Sequence, residues 1–297
     1  MAEEKKSSCA TCSSTTCSAK NKHANENDEQ FAARRQIAEN LCKIKHKVIV
    51  MSGKGGVGKS SVAVNIAMAL AMDGKNVGLL DIDLHGPSVP TMFGLTDGKI
   101  SVSENNRFIP ITFGGLKIMS VGFFLPDRDD AIIWRGPLKH AMIQQFFKDV
   151  DWGTLDYLII DSPPGTGDEL LSLVNTVEDL TGAVLVTTPQ EVAAADVRKS
   201  VTFCEKANVK VLGIVENMSG YACPHCGEVS QIFKIGAGQK IAEKYGFPLL
   251  GKIPIDPAIG ESGDNGVPFV YMQSKSASAK EIESITNKMV AICEKKD

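Results

Sequence analysis

No apolar run in the 297 residues approaches the roughly 18 that a membrane-crossing helix needs. The opening MAEEKKSSCATC lacks the apolar segment of a secretory signal, so a cytoplasmic protein with no membrane partner is expected. An excess of charge of one sign is also missing. Lys and Arg number 32 against 35 Asp and Glu, a formal net charge of -3 that speaks against a dedicated nucleic-acid binder. Eight cysteines are present without the small secreted chain that a disulfide framework implies, and in a reducing compartment clustered cysteines point to metal instead. Residues 3–30 lack large apolar side chains almost entirely. Rich in Ser, Thr, Asn and charge, they make 1–40 an expected flexible tail; QFAARRQIAENLCKIK then reads as a short helix leading into the domain, expected over 41–297.

From Lys47 onward, apolar runs alternate with helix-length segments: KVIVMS, NVGLLDID, LKIMSVGF, DYLIID, GAVLVTTP, VKVLGIVENM and PLLGKIP. Near-continuous apolar strands that alternate with helices predict an α/β fold, a doubly wound and mostly parallel sheet covered by helices on both faces. Ligands of such sheets bind beyond the carboxyl ends of the strands. The C-terminal segment carries Ile282, Ile285, Met289 and Ile292 at helical spacing, a packing face. Cys204 and Cys293 fall on predicted helices and are expected to be small core residues.

MSGKGGVGKS places Gly53-x-x-x-x-Gly58-Lys59-Ser60 between a predicted strand and a predicted helix, the setting of a phosphate-binding loop. Backbone amides of Gly53, Lys54, Gly55, Gly56, Val57 and Gly58, with Ser60 and Ser61 at the helix start, are candidates to surround ATP phosphates; Lys59 meets the outer ones, and the Ser60 hydroxyl ligates Mg²⁺. Such a loop needs carboxylates. Asp81 and Asp83 end the second strand and Asp161 ends another, so Ser60, Asp81 and Asp161 form the expected Mg²⁺ side, and PPGTG after Asp161 reads as a segment that senses the γ-phosphate.

Lys54 in Gly-Lys-Gly-Gly-x-Gly-Lys-Ser resembles the signature lysine of the deviant-Walker P-loop ATPases, the group of MinD, ParA, nitrogenase iron protein and the Mrp/ApbC/Nbp iron-sulfur carriers. The resemblance implies a nucleotide-dependent homodimer in which Lys54 reaches the phosphates held by the partner and Asp83 aligns the attacking water. Lys54, Lys59 and Asp83 are therefore the expected catalytic set. It also implies that adenine lies beside VENMSG and KIPIDP, where Asn217 suits the base edge and Asp256 the base or ribose, or an ordinary turn.

Cys223-Pro-His-Cys226 supplies two thiolates, half of a four-thiolate site, and no second C-x-x-C occurs within the predicted domain. A symmetric dimer would complete it at its two-fold axis. IIWRGP, DWGTLDYLIIDSPPGTGDE and NMSGYACPHCG resemble the Mrp/Nbp carriers, which implies a bridging 4Fe-4S cluster passed to apo iron-sulfur proteins by a slow ATPase. Spacing alone leaves zinc open, because zinc accepts the same four thiolates. Cys9, Cys12 and Cys17 resemble a shortened form of the tail motif in the Nbp branch; they hold a second cluster, with an open iron or with Cys42 as fourth ligand, or no metal at all. The alternative reading is a positioning switch of the MinD/ParA type, which shares the nucleotide site but leaves the CPHC pair without a role.

Overall fold

The computed structural model describes residues 20–22, 26–124, 136–222, 226, 228–230, 232 and 236–295. Helix α1 (Asp28–Leu41) leads into strand β1 (Ile44–Ser52), followed by α2 (Lys59–Met72), β2 (Val77–Asp81), the short α3 (Val89–Met92), a hairpin of β3 (Ser101–Val102) and β4 (Phe108–Ile109), then β5 (Ile111–Phe113) and β6 (Leu116–Ser120). After a 3-10 turn at Val121–Phe124 come α4 (Gly136–Lys148), β7 (Leu155–Asp161), α5 (Asp168–Thr176), β8 (Gly182–Thr187), α6 (Glu191–Lys206), β9 (Val211–Ala222) and β10 (Val229–Ser230). The chain continues through α7 (Ala237–Tyr245), β11 (Leu249–Ile255), α8 (Pro257–Asp264), α9 (Phe269–Met272) and α10 (Ala277–Cys293).

The main sheet runs β10-β9-β8-β1-β7-β2-β6-β5, with β11 also paired to β9. Its larger strands are parallel to one another, and only the short β5 and β10 run antiparallel to their neighbours. Each of the seven apolar runs is a strand of this sheet. The two-residue period of a strand sends alternate side chains to opposite faces. In β1, Val48 and Val50 enter a core built with α2 and α10, while Ile49 and Met51 enter a second core built with α4, α5, α6 and α7. Two cores, one per face, are what the near-continuous apolar strands demand. Ile282, Ile285 and Met289 of α10 are buried in the first, with Ile292 packed against it.

α1 begins at a capping box, in which the Asn27 side chain accepts from the Gln30 amide and the Gln30 side chain accepts from the Asn27 amide. Ile37 and Leu41 are buried, and the Asn40 amide donates to the carbonyls of Phe147 and Lys148 at the end of α4. The boundary expected at residue 40 thus falls inside a helix that packs on the domain.

β11 lies at the edge of the sheet, where outward-facing backbone groups lack a strand partner. Side chains of α10 take them: Glu281 accepts from the Lys252 amide at 3.1 Å, and the Lys288 ammonium donates to the Leu250 carbonyl at 2.7 Å. Pro254, which has no amide hydrogen, occupies the same edge.

Candidate functional site

The parallel strands all end at one edge, and the loop expected to bind phosphate leaves β1 there, at the middle of the sheet. Gly58 is the N-cap of α2 with φ +78°, a left-handed conformation that favours glycine, and a Cβ at this position would collide with the Asn217 amide. α2 therefore starts without a side-chain cap, its first-turn amides left to an incoming anion. Lys59 is 6% exposed and donates to Asp161 Oδ1 at 2.5 Å. Its ammonium also reaches the Ser60 hydroxyl at 3.3 Å. Lys54 is half-buried; its carbonyl accepts from the Ser52 hydroxyl, and its ammonium has no acidic partner among the described residues.

Register places Asp81 of β2 directly beside Asp161 of β7, both fully buried. Burial, reinforced by the charge of Asp161, pushes the Asp81 carboxyl up to about 7, against the Asp83 amide, the Lys59 charge and the Ser120 hydroxyl. Burial raises Asp161 too, against the charge and hydrogen bond of Lys59. Ser120 at the end of β6 donates to Asp81 at 2.9 Å, a contact that the sequence did not announce. The Oδ2 atom of Asp161 is buried with no hydrogen-bond partner. A desolvated carboxylate oxygen in that condition is unfavourable unless a cation meets it. The residues present therefore fit Mg²⁺: Asp161, Ser60 and Asp81 are the side chains that would hold it, directly or through water.

Asp83 follows on the loop after β2, half-buried, with one carboxylate oxygen accepting from the His85 amide at 3.3 Å. His85 in turn meets Lys139 of α4, which donates to Glu169 in the first turn of α5 at 2.6 Å. Burial alone would raise Glu169, but the Lys139 hydrogen bond, the backbone amide and the charges of Lys139 and His85 hold it below the usual carboxylate range. This cluster joins the Asp83 loop to the helix that follows PPGTG. The segment itself is tied back to β1 by Gly165, whose amide donates to the Ser52 carbonyl at 2.8 Å.

On the base side, the Asn217 amide donates to the Val57 carbonyl of the phosphate loop at 2.8 Å. Asp256 caps α8, accepting from the Ala258 amide at 3.0 Å and from the Ser278 hydroxyl at 2.7 Å. Both border a cavity of about 480 Å³ that opens from Gly58 and Ser61 and is walled by Met218, Ile259 and Phe269. The site is therefore brought together from β1, β2, β7, β9 and β11 at one edge.

Cys226 is exposed, whereas Cys223, Cys9, Cys12 and Cys17 lie outside the described residues. Cys204 is a buried core residue with its thiol pushed up to about 12, whereas Cys293 is half-buried at the edge of the core, its thiol pushed up to about 11 by desolvation. Cys42 is exposed beside the Glu39 carbonyl at the end of α1. Among the described residues no group of three or more His, Cys, Asp or Glu gathers that would hold a metal.

Residues 43–290 match the family described as ParA: NUBPL iron-transfer P-loop NTPase. The chain belongs to this family. An iron-sulfur cluster carrier protein of Methanocaldococcus jannaschii is 44% identical over 283 residues, 95% of each chain. The cytosolic Fe-S cluster assembly factor CFD1 of Kluyveromyces lactis is 54% identical over 231 residues, 76% of this chain and 82% of that protein. Among solved structures, the nucleotide-binding protein of Archaeoglobus fulgidus in complex with ADP shares 43% identity and superposes with a TM-score of 0.71 over 80% of this chain and 93% of that one. MinD of Pyrococcus furiosus, 23% identical with a TM-score of 0.59 over 83% of this chain and 99% of its own, shares the fold. In this NUBPL-family NTPase no helix of the described residues is long and apolar enough to cross a membrane.

Proposed function

We propose that the protein is a slow, ATP-dependent iron-sulfur cluster carrier of the cytosol that binds a 4Fe-4S cluster between two copies of itself and passes it to apo-proteins. The observation that carries this reading is the course of β9: Asn217 meets the phosphate loop, and the same strand ends at Ala222, immediately before Cys223. Nucleotide and thiolates are thus served by one strand. Relatives named as cluster carriers and cytosolic assembly factors support the choice within the family. The cluster is cargo, held by Cys223 and Cys226 of each subunit, because two thiolates per chain are half of what a cubane cluster takes.

In the nucleotide site Lys59 exchanges its bond to Asp161 for the outer phosphate oxygens, which frees Asp161 toward the cation. Mg²⁺, when bound, neutralises charge on the phosphate oxygens. Asp83 orients the attacking water, and Lys54 reaches across to the partner's nucleotide. Asn217 holds the loop in shape through Val57 and presents its remaining carbonyl oxygen to the base; Asp256 supports the wall of the base cavity through the α8 cap. Cys9, Cys12 and Cys17 are proposed to hold a second cluster.

Anaerobic reconstitution should give about four iron and four sulfide per dimer at this pair. Cys223→Ala should abolish that loading and leave ADP affinity unchanged. Full loading of Cys223→Ala, or zinc in place of iron in anaerobically prepared protein, would refute the assignment.

A further inference from the structure

Glu216 is the one charged residue of β9, fully buried, and the nucleotide site makes no use of it. Its neighbour Asn217 points to the opposite face of β9, as the pleat requires. Asn217 bonds the phosphate loop. Glu216 accepts from the Ser219 hydroxyl at 2.6 Å and from the Gly238 amide at 2.8 Å. Gly238 lies in the first turn of α7, a helix without a side-chain cap at its own N-terminus, so the buried carboxylate supplies the negative charge that this end favours. A Cβ on Gly238 would stand 3.0 Å from Glu216 Oε2, tight enough to disturb that contact.

These two bonds have a common geometric meaning. Ser219 is on the chain entering the cysteine-bearing segment, which begins after Ala222, and Gly238 is on the helix that follows it. One carboxylate therefore ties both stems, while the short pairing of Tyr221 and Ala222 with Ser230 and Val229 closes the base. Between the phosphate-loop contact and the clamp lies Met218, a non-glycine residue with φ +57° whose side chain borders the nucleotide-side cavity. A left-handed methionine is strained, and strain of this kind persists only where its surroundings hold it.

We infer that Glu216 is a positioning residue that fixes the stems of the cysteine segment and, through Asn217 and the strained Met218, makes the placement of Cys226 depend on nucleotide. The inference rests on the carrier reading for its purpose but not for its test. In the metal-free full chain, the alkylation rate of Cys226 by iodoacetamide, followed by mass spectrometry, should change by about fivefold or more on adding MgATP. Glu216→Leu fills a similar space but accepts from neither the Ser219 hydroxyl nor the Gly238 amide. It should remove the nucleotide response while leaving MgATP affinity intact. Ser219→Ala, which cuts one limb and leaves the carboxylate its Gly238 bond, should weaken the response in the same way and decides the matter if Glu216→Leu does not fold.

A wild-type protein whose Cys226 rate ignores MgATP overturns the inference. So does a folded variant that keeps the full response, which would trace shielding to dimer formation alone. Iron and sulfide content tests the carrier reading separately: a chain that loads no cluster yet shows a Glu216-dependent response would sink that reading and keep this link.

Discussion

At the scale of single residues, the positions that decide this molecule are those where burial and polarity conflict. His46 is one of them, stacked on Tyr157 with ring centroids 4.9 Å apart and its Nε2 atom buried without a partner. Burial, then the charge of Lys45, lowers its pKa below 6.5, with Lys47 adding to the effect and Glu294 and Asp156 opposing it. The unfolded chain therefore binds a proton before the folded one does. Stability is fully present above about pH 6.5 and falls as the pH drops below it, until the folded imidazole itself is charged. Thermal melts between pH 7 and 5 should show this limb, and His46→Phe, which preserves the stack, should flatten it. Gly58→Ala forces a left-handed alanine at a strain of about 1–2 kcal/mol and drives a methyl into Asn217. ADP binding by calorimetry should be lost, or weakened at least tenfold, while the fold survives.

The same scale shows what the sequence could and could not disclose. Lys59, Asp81 and Asp161 were legible because a short motif and two strand ends fix their places through local geometry. Asp256 was less so, since a carboxylate before Pro257 serves equally as a ligand group or as the α8 cap, and its contact with Ser278 comes from a distant helix. Ser120 was silent for a similar reason: its partner is 39 residues away and its own run reads as plain apolar strand. Glu216 did leave a signal, a lone charge inside VLGIVENM, though its partner in α7 depends on tertiary packing.

Among the elements, the long strands announced themselves through runs of apolar residues, while β3, β4, β5 and β10 carry too few residues for any period to show. α1 is an intermediate case. Its helical pattern was visible, but its docking on α4 through Asn40 depends on carbonyls more than a hundred positions away. The β11 edge gives an element-level prediction. With Glu281→Ala and Lys288→Ala combined, the Lys252 amide and Leu250 carbonyl lose the side chains that occupy them, and an uncovered edge invites strand addition by another molecule. The double variant should aggregate earlier on heating, by light scattering, with little change in nucleotide binding.

For the whole molecule, the proposed dimer turns on the contrast between the two lysines of the phosphate loop. Lys59 is satisfied inside its own chain by Asp161, whereas Lys54 finds no acidic partner there among the described residues. On the proposed reading, MgATP should drive dimerisation and Lys54→Ala should abolish it while retaining ADP binding by the monomer, as read by light scattering after gel filtration; a variant that still dimerises would remove Lys54 from the interface.

The strand order also sets a schedule for synthesis. β1 leaves the ribosome early, but its neighbours in the sheet are β7 and β8, and the residue that braces its phosphate loop is Asn217, separated from Val57 by 160 positions. At about 5–20 residues per second, the loop waits on the order of ten seconds or more for that brace to be made. A nascent chain is therefore unable to assemble its nucleotide site until β9 has emerged, and Cys223 and Cys226 arrive only a moment later. On the proposed reading, the Cys223 and Cys226 pair would come under the influence of nucleotide almost as soon as it is made.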